Sequence, residues 1–588
     1  MGEGAAAQPG LGGGTLTATP THSAAIAALS PERGEADADR LSASNFDVLV
    51  IGGGIVGAGV ALDAATRGLS VALVEAQDWA AGTSSCSSKL IHGGLRYVQS
   101  RQFGLVREAL RERAVLLRLA PHLVVPAEFL YPLRRRIERP YVAAGVAIYD
   151  VLARLPGTGA RLPRGRHLGK AAARAAAPAL RKGRLAGAVL YCDAQVDDAR
   201  LVLDVVRTAA SYGARVVTRA RVAGLLEDGE RVVGARVQLL ERATEVEVRA
   251  RAVVAATGVW SEEVSAMAGG GGLCLRPSKG VHLVVPRASI EASTALIIPT
   301  RTSVLFVLPW GAHWIIGTTD TAWGLDRARP AATSSDVDYL LEELNAVLVR
   351  PLTRASVESV FVGLRPLLDS GRSATTELSR EHAVAVPRRG LAIVAGGKYT
   401  TYRVMAKDAL DAALHSSGIS AAPSRSASVV IGGGVGYAPA LANADATAAR
   451  TGLSRDEIGR LLGRYGGHLD EVLGASGLPD ELGRLEHASG YLRAEIAYAV
   501  THEGARHLED VLLRRTRIAI ESPDRGVAAA SEIASLMARL LGWDASTTDR
   551  EVETYVATVA GALQGERQRD DADALAAVTG APSLFASL

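Results

Sequence analysis

The chain has 588 residues, enough for two or three domains of roughly 100–200 residues each. With 65 Lys+Arg against 62 Asp+Glu its net charge is +3, which gives no reason to expect a nucleic-acid binder, since those proteins carry a clustered basic excess. Three distant cysteines (Cys86, Cys192, Cys274) form no CxxC pair, so a zinc knuckle or a disulfide framework is excluded and a reducing cytosol is expected. No run of about 18 apolar residues exists, which excludes a spanning helix. Only six of the 65 basic residues are lysine (Lys89, Lys170, Lys182, Lys279, Lys398 and Lys407), and the rest are arginine.

Residues 1–44 contain no aromatic residue and are rich in Ala, Gly, Thr and Ser, so they are read as a disordered tail. Order begins at 46–51 (FDVLVI), an apolar, β-branched run suited to a buried parallel strand. Gly52-x-Gly54-x-x-Gly57 follows, then a predicted helix over 58–67, a second strand over 70–74, and Glu75 at its end. Further strands are expected at 215–218, 231–233, 235–239 and 252–255, with a strand-rich stretch at about 280–320. After about 430 the pattern turns helical. Ser454-Arg-Asp-Glu457 reads as a capping box opening a helix to about 465, and other helical patterns cover about 490–520, 526–541 and 549–564. The glycine-rich stretch around 432–434 serves as a connector. Asp197-Asp198 is expected to start the helix of 199–210, with its acidic side chains at the favoured end.

The strand–glycine turn–helix–strand unit has the spacing of a dinucleotide fold. Gly52 permits the tight turn, Gly54 lets the backbone approach a pyrophosphate, and Gly57 lets helix and strand pack closely. The free N–H groups of the helix start then face the phosphates, and Glu75 can accept from ribose hydroxyls. Two more strand ends carry small residues, at Thr257-Gly258 and at Gly396-Gly397-Lys398, and the stretch 82–88 supplies hydroxyls through Thr83, Ser84 and Ser85. Three such ends spread along the chain suit a long cofactor threaded through one site, hence FAD rather than NAD.

Residues 82–97 (GTSSCSSKLIHGGLRY), 279–282 (KGVH), 316–320 (IGTTD), 363–366 (GLRP), 396–403 (GGKYTTYR) and 495–518 resemble the FAD-dependent glycerol-3-phosphate dehydrogenases, in order, over about 46–565. The resemblance implies an α/β fold: an FAD-binding Rossmann-like domain of the glutathione-reductase/amino-acid-oxidase type (45–125, 186–275 and 361–415), a mixed-sheet substrate and membrane-facing domain (126–185 and 276–360), and an all-α C-terminal domain (430–570). It implies oxidation of glycerol 3-phosphate to dihydroxyacetone phosphate, by hydride transfer from C2 to FAD, with electrons passed to a membrane quinone. Such a site needs cations for the phosphate, a group to orient or deprotonate the C2 hydroxyl, and exclusion of water.

By resemblance, Arg365 and Arg380 are assigned to the phosphate or its neighbouring hydroxyl, Arg96 and Tyr97 to the substrate pocket, and Thr319 to a hydroxyl there. His282 and Lys398 are candidates for handling the C2 hydroxyl, and His92 for a place at the flavin ring as hydrogen-bonder or acid/base. The identity of the base stays open. Lys89, Gly93 and Thr400 join the cofactor set because they stand inside the matched stretches. No metal is expected: His502-Glu503 with His507 imitates a zincin, but five residues set the rings about 140° apart on a helix.

Arg134-Arg-Arg136, Arg139 and Arg154 flank a mostly apolar stretch, 141–152, with Tyr141 and Tyr149. Two readings stand: a helix lying in the interface of an anionic membrane, or an ordinary core helix beside a basic loop. The first would serve quinone reduction and implies a peripheral position on the inner face of the plasma membrane. The resemblance also implies a homodimer. Rival functions are an oxygen-reducing oxidase, an amino-acid oxidase, and a non-catalytic flavin-binding module. The cluster of cations disfavours the second, and an intact substrate pocket disfavours the third.

Overall fold

The computed structural model describes residues 26–94, 102–135, 137–154, 162–300, 303–369, 381–475, 478, 480–582 and 584. One sheet has at its centre the strand Asn45–Ile51, parallel to Thr244–Ala255 on one side and to Val71–Val74 on the other. Leu391–Gly396 and Arg215–Val217 extend this parallel core outward. The antiparallel meander Ala220–Asp228, Arg231–Leu239, Thr244–Ala255 rises from it, and His382–Arg388 closes the edge. The helix Ile55–Thr66 (IVGAGVALDAAT) is apolar all round and almost wholly buried, because the helices Asp198–Ser211 and Tyr402–Ser417 cover it. Its one acid, Asp63, is satisfied by Arg67 and by the Ser424 hydroxyl.

The second sheet runs Thr321–Ala322, Ser278–Pro286, His313–Gly317, Val304–Trp310, Ala295–Pro299, Val124–Leu133, Gly187–Val196, Leu90–Ile91. Ser359–Arg365 pairs with Ser278–Pro286, so that His282 faces Phe361 and Ser278 stands opposite Arg365. Gly187–Val196, which falls in a stretch assigned to the cofactor domain, and Ser359–Arg365, which straddles the assigned boundary at 360/361, are therefore strands of the second sheet. Their pairing partners decide this, and a strand's own sequence does not name its partner.

The tail reading needs correction over 26–44, while residues 1–25 lie outside the described residues. Pro31–Ala43 is a helix, started by Ser30, whose side chain accepts from the Arg33 N–H, with proline at the first helical position. Leu41 is fully buried, Asp37 accepts from the Val216 N–H and pairs with Arg215, and the Leu29 N–H donates to the His502 carbonyl. Its buried apolar stripe is only Ala38 and Leu41, too short to stand out among alanines and charges.

The C-terminal domain is helical around its own apolar core, with a small hairpin, Arg484–Leu485 against Ala488–Leu492. The capping box at Ser454 and Glu457 opens the helix Arg455–Tyr465, and Asp197 caps the helix Asp198–Ser211. Buried arginines fill the junction with the first sheet. Arg200 forms a two-pronged pair with Glu503 (2.8 and 2.6 Å), and Arg514 and Arg515 converge on Asp78. The zincin-like residues have unrelated partners: His502 stacks on Tyr498, Glu503 takes Arg200, and His507 sits between Glu241 and Glu551.

Candidate active site

A cavity of about 530 Å³ runs between the two sheets, within the size range of cofactor and substrate pockets. At one end it is built on the turn after Asn45–Ile51. Gly52 has φ +107°, and a Cβ there would stand 2.7 Å from the Ala256 carbonyl oxygen, while one at Gly57 would stand 1.8 Å from the Gly52 carbonyl oxygen. The turn thus lies directly against the neighbouring strand end, and Gly52 and Gly54 line the cavity. The Ile55 N–H at the start of the helix donates to the Ser84 hydroxyl (3.0 Å). Glu75 accepts from the N–H groups of Gly53 (2.6 Å) and Gln77 (2.7 Å). Burial pushes its carboxyl up, and those two N–H groups oppose the push. Thr257 and Gly258 line the wall beyond, and Thr257 Oγ1 is buried with no protein partner. A glycine cradle that any Cβ would fill, a carboxylate at the next strand end and an orphaned hydroxyl fit a dinucleotide.

The same cavity is lined by His92, His282, Arg365, Gly397, Lys398 and Thr400. The Thr400 hydroxyl accepts from the His92 N–H (3.1 Å) and donates to its carbonyl (3.3 Å), which fastens the His92 turn to the turn after Leu391–Gly396. His282 stacks on Phe361 with ring centroids 4.6 Å apart and planes 8° from parallel. Its Nε2 meets the Ser88 hydroxyl at 2.9 Å, and its Nδ1 is buried with no protein partner. Burial first, then the cations Arg365 and Lys89, hold this imidazole well below its usual range, so it is neutral at pH 7. Arg365 is braced from behind: Nη2 donates to the Thr318 hydroxyl and the Thr319 carbonyl (both 3.1 Å), and Nη1 to the Ser278 hydroxyl (3.3 Å). Gly280 makes room for it, since a Cβ there would stand 2.6 Å from Nη2.

Several expected residues are placed elsewhere. Lys89 lies beneath the loop, where Nζ pairs with Asp198 and donates to the Ser85 carbonyl. Ser85 turns its hydroxyl towards Cys86 Sγ (3.6 Å). The Gly93 N–H is taken by the Tyr149 hydroxyl (2.9 Å), and a Cβ there would meet that hydroxyl and Leu110 at 2.5 Å, so this glycine serves packing. The Thr319 hydroxyl is engaged with the Val281 N–H (3.0 Å) and the Lys279 carbonyl (3.3 Å) and braces the strand. Thr83 lines the cavity while its hydroxyl holds the Leu364 carbonyl (2.6 Å). Lys279 turns away to Asp336 and Asp571. Arg96, Tyr97 and Arg380 lie outside the described residues. Ser88, Cys86, Trp260 and Met405 also line the cavity. Ser88 was legible as part of the hydroxyl-rich loop, but nothing local marks Trp260.

Two family models match the chain: "FAD dependent oxidoreductase" over residues 47–403, and "C-terminal domain of alpha-glycerophosphate oxidase" over 424–548. The chain is 51% identical to a glycerol-3-phosphate dehydrogenase of Mycobacterium leprae over 551 residues, 93% of this chain and 94% of that one. It is 36% identical over 537 residues to the mitochondrial glycerol-3-phosphate dehydrogenase of Homo sapiens, covering 87% and 72%. Among solved structures, the glycerol-3-phosphate dehydrogenase from Bacillus halodurans complexed with FAD superposes with a TM-score of 0.74 at 29% identity, covering 90% of this chain and 98% of that one.

Proposed function

The chain belongs to the FAD-dependent glycerol-3-phosphate dehydrogenase family, and on that premise we propose that it oxidises glycerol 3-phosphate to dihydroxyacetone phosphate and delivers the electrons to a membrane quinone. When bound, FAD supplies the acceptor for the hydride that leaves C2. The residues of the chain do the rest. Arg365, braced on its far side by hydroxyl and carbonyl oxygens, turns towards the cavity and grips the phosphate, with Lys398 as a second cation. His282 takes the proton of the C2 hydroxyl, so that the carbonyl forms as the C–H bond breaks. His92, locked to Thr400 through its backbone, orients the substrate or the ring beside it. Trp260 in the cavity wall, and Phe361 stacked on His282, supply apolar surface around the site.

The observation that carries this reading is that a buried imidazole with an Nδ1 unpartnered by protein, His282, lines the same cavity as the side chains of Arg365 and Lys398 and the glycine cradle. Anaerobic mixing of the yellow protein with glycerol 3-phosphate, glycerol or an amino acid tests it. Flavin bleaching by glycerol 3-phosphate alone is expected, and none with that compound refutes the substrate. Faster reoxidation by a quinone analogue than by oxygen is expected, and the reverse order would make the protein an oxidase.

The helix Glu138–Leu152 supports docking at the inner face of the plasma membrane. It buries Val146 and Tyr149 against the second sheet's core and leaves Tyr141, Ile148 and Val151 exposed, together with Ile137, which is 80% exposed. Arg134, Arg135 and Arg139 near the start of the helix and Arg154 just past its end are themselves exposed. No helix among the described residues is long and apolar enough to cross a membrane. Co-sedimentation with anionic but not neutral vesicles, lost in Ile148→Glu/Val151→Glu, is the expected behaviour.

A further inference from the structure

The last described helix, Asp571–Thr579, lies beyond both matched family segments, yet it packs beside the cavity. Its Ala574 and Val578 share an apolar cluster with Trp323 and Leu364, and Trp260 of the cavity wall packs against the same cluster. The approach to the helix is fastened through its backbone. The Ser334 N–H donates to the Gln568 carbonyl (2.7 Å), and the Ser335 hydroxyl to the Arg569 carbonyl (2.9 Å). In its first turn Asp571 pairs with Lys279, whose Nζ also donates to Asp336 at 2.6 Å and lies 5.4 Å from the Trp323 ring. Lys279 is only 1% exposed.

The backbone that carries Lys279 also carries the braces of Arg365. The Lys279 carbonyl and the Ser278 hydroxyl accept from Arg365 Nη1, and Ser278 in turn donates to Asp320. A long side chain held at its tip between two carboxylates fixes its own backbone, here at the end of a strand. A guanidinium is a rigid plane, so acceptors fixed around its terminal nitrogens set where that plane lies and which way it faces.

We propose that the C-terminal helix is a clasp that sets the position of Arg365, with Asp571 and Lys279 as positioning residues for the phosphate of the substrate. This rests on the reading of Arg365 as the phosphate-gripping residue. The clasp couples the C-terminal helix to substrate affinity through Arg365.

The test is Asp571→Asn in the full-length, FAD-loaded protein. KM for glycerol 3-phosphate is expected to rise about five- to tenfold while kcat changes less than about twofold, the pattern of lost uniform binding. The Kd for inorganic phosphate, measured by calorimetry, rises in parallel; flavin content stays unchanged, and Asp571→Glu restores both constants. Ala574→Ser, which loosens the helix but keeps the ion pair, separates stability from positioning: it lowers the melting temperature with KM near normal. Unchanged KM and phosphate Kd in Asp571→Asn, or an equal rise in Ala574→Ser, overturns the clasp. A wild-type protein that binds phosphate but is not bleached by glycerol 3-phosphate would strike the substrate reading instead, and the phosphate Kd values would still decide the clasp.

Discussion

Replacing His282 by Asn removes the one imidazole among the described residues that combines a buried, protein-unpartnered Nδ1 with a place on the cavity wall. A positioned general base contributes about 10²–10⁴ in rate, equivalent to roughly 3–5.5 kcal/mol of barrier. The substitution also gives up the stack on Phe361 and the contact with the Ser88 hydroxyl, about 0.5–1.5 kcal/mol each, which are costs in stability rather than in chemistry. Single-turnover flavin reduction under saturating glycerol 3-phosphate, followed anaerobically by stopped flow, isolates the chemical step. The wild-type rate should climb with pH through an apparent value below the usual imidazole range and then level off. Burial, Arg365 and Lys89 all favour the neutral ring, so the deprotonated base is already present at pH 7. In His282→Asn the plateau should fall by at least about a hundredfold and the acid limb should disappear, with bound flavin retained. A variant within about threefold of wild type, or one that keeps the same acid limb, would refute the assignment.

Lys398→Arg should abolish turnover with the flavin retained, because a wide planar guanidinium cannot take the place of a compact ammonium whose nitrogen is shielded from solvent; normal turnover in the purified variant would refute it. His507 governs a pH-dependent contact between the first sheet and the C-terminal domain. Burial alone would lower its imidazole, but its bonds to Glu241 (2.9 Å) and Glu551 (2.8 Å) outweigh burial and raise it to about 9. The folded state therefore favours the imidazolium. The resulting stability is complete below the unfolded value of about 6.5 and is lost as pH rises through about 9, on the order of 3 kcal/mol in all. Urea unfolding at pH 6 and pH 9.5 should show His507→Gln less stable than wild type at the lower pH and nearly equal at the higher; a constant gap would contradict this.

The local part of the fold was legible because its physics is local. The Gly52–Gly57 turn, the apolar Ile55–Thr66 helix, the Ser454 capping box and the Asp197 cap each depend on residues within a few positions. The two-sided burial of Asn45–Ile51 was likewise written in its unbroken apolar run. The helix Pro31–Ala43 was missed because its apolar side is short and its stability comes from partners far away in sequence, Arg215 and Val216 among them.

By itself the sequence determined the cofactor class, the order of the segments and a set of stretches resembling the family's motifs in which the site had to lie. It could not say which side chains of those stretches look into the cavity. Alternation along a strand sends Ser278, Gly280 and His282 one way and Lys279 the other, but which way is inward depends on which sheet face meets the glycine turn. Only the tertiary structure settled that Lys279 and Lys89, both in matched stretches, are spent on buried carboxylates, while Lys398 stands in the cavity wall. The physical reason is that a carboxylate brought against a buried ammonium offsets the cost of taking its charge out of water. For Lys89 and Lys279 those carboxylates, Asp198, Asp336 and Asp571, come from segments 57 to 292 positions away.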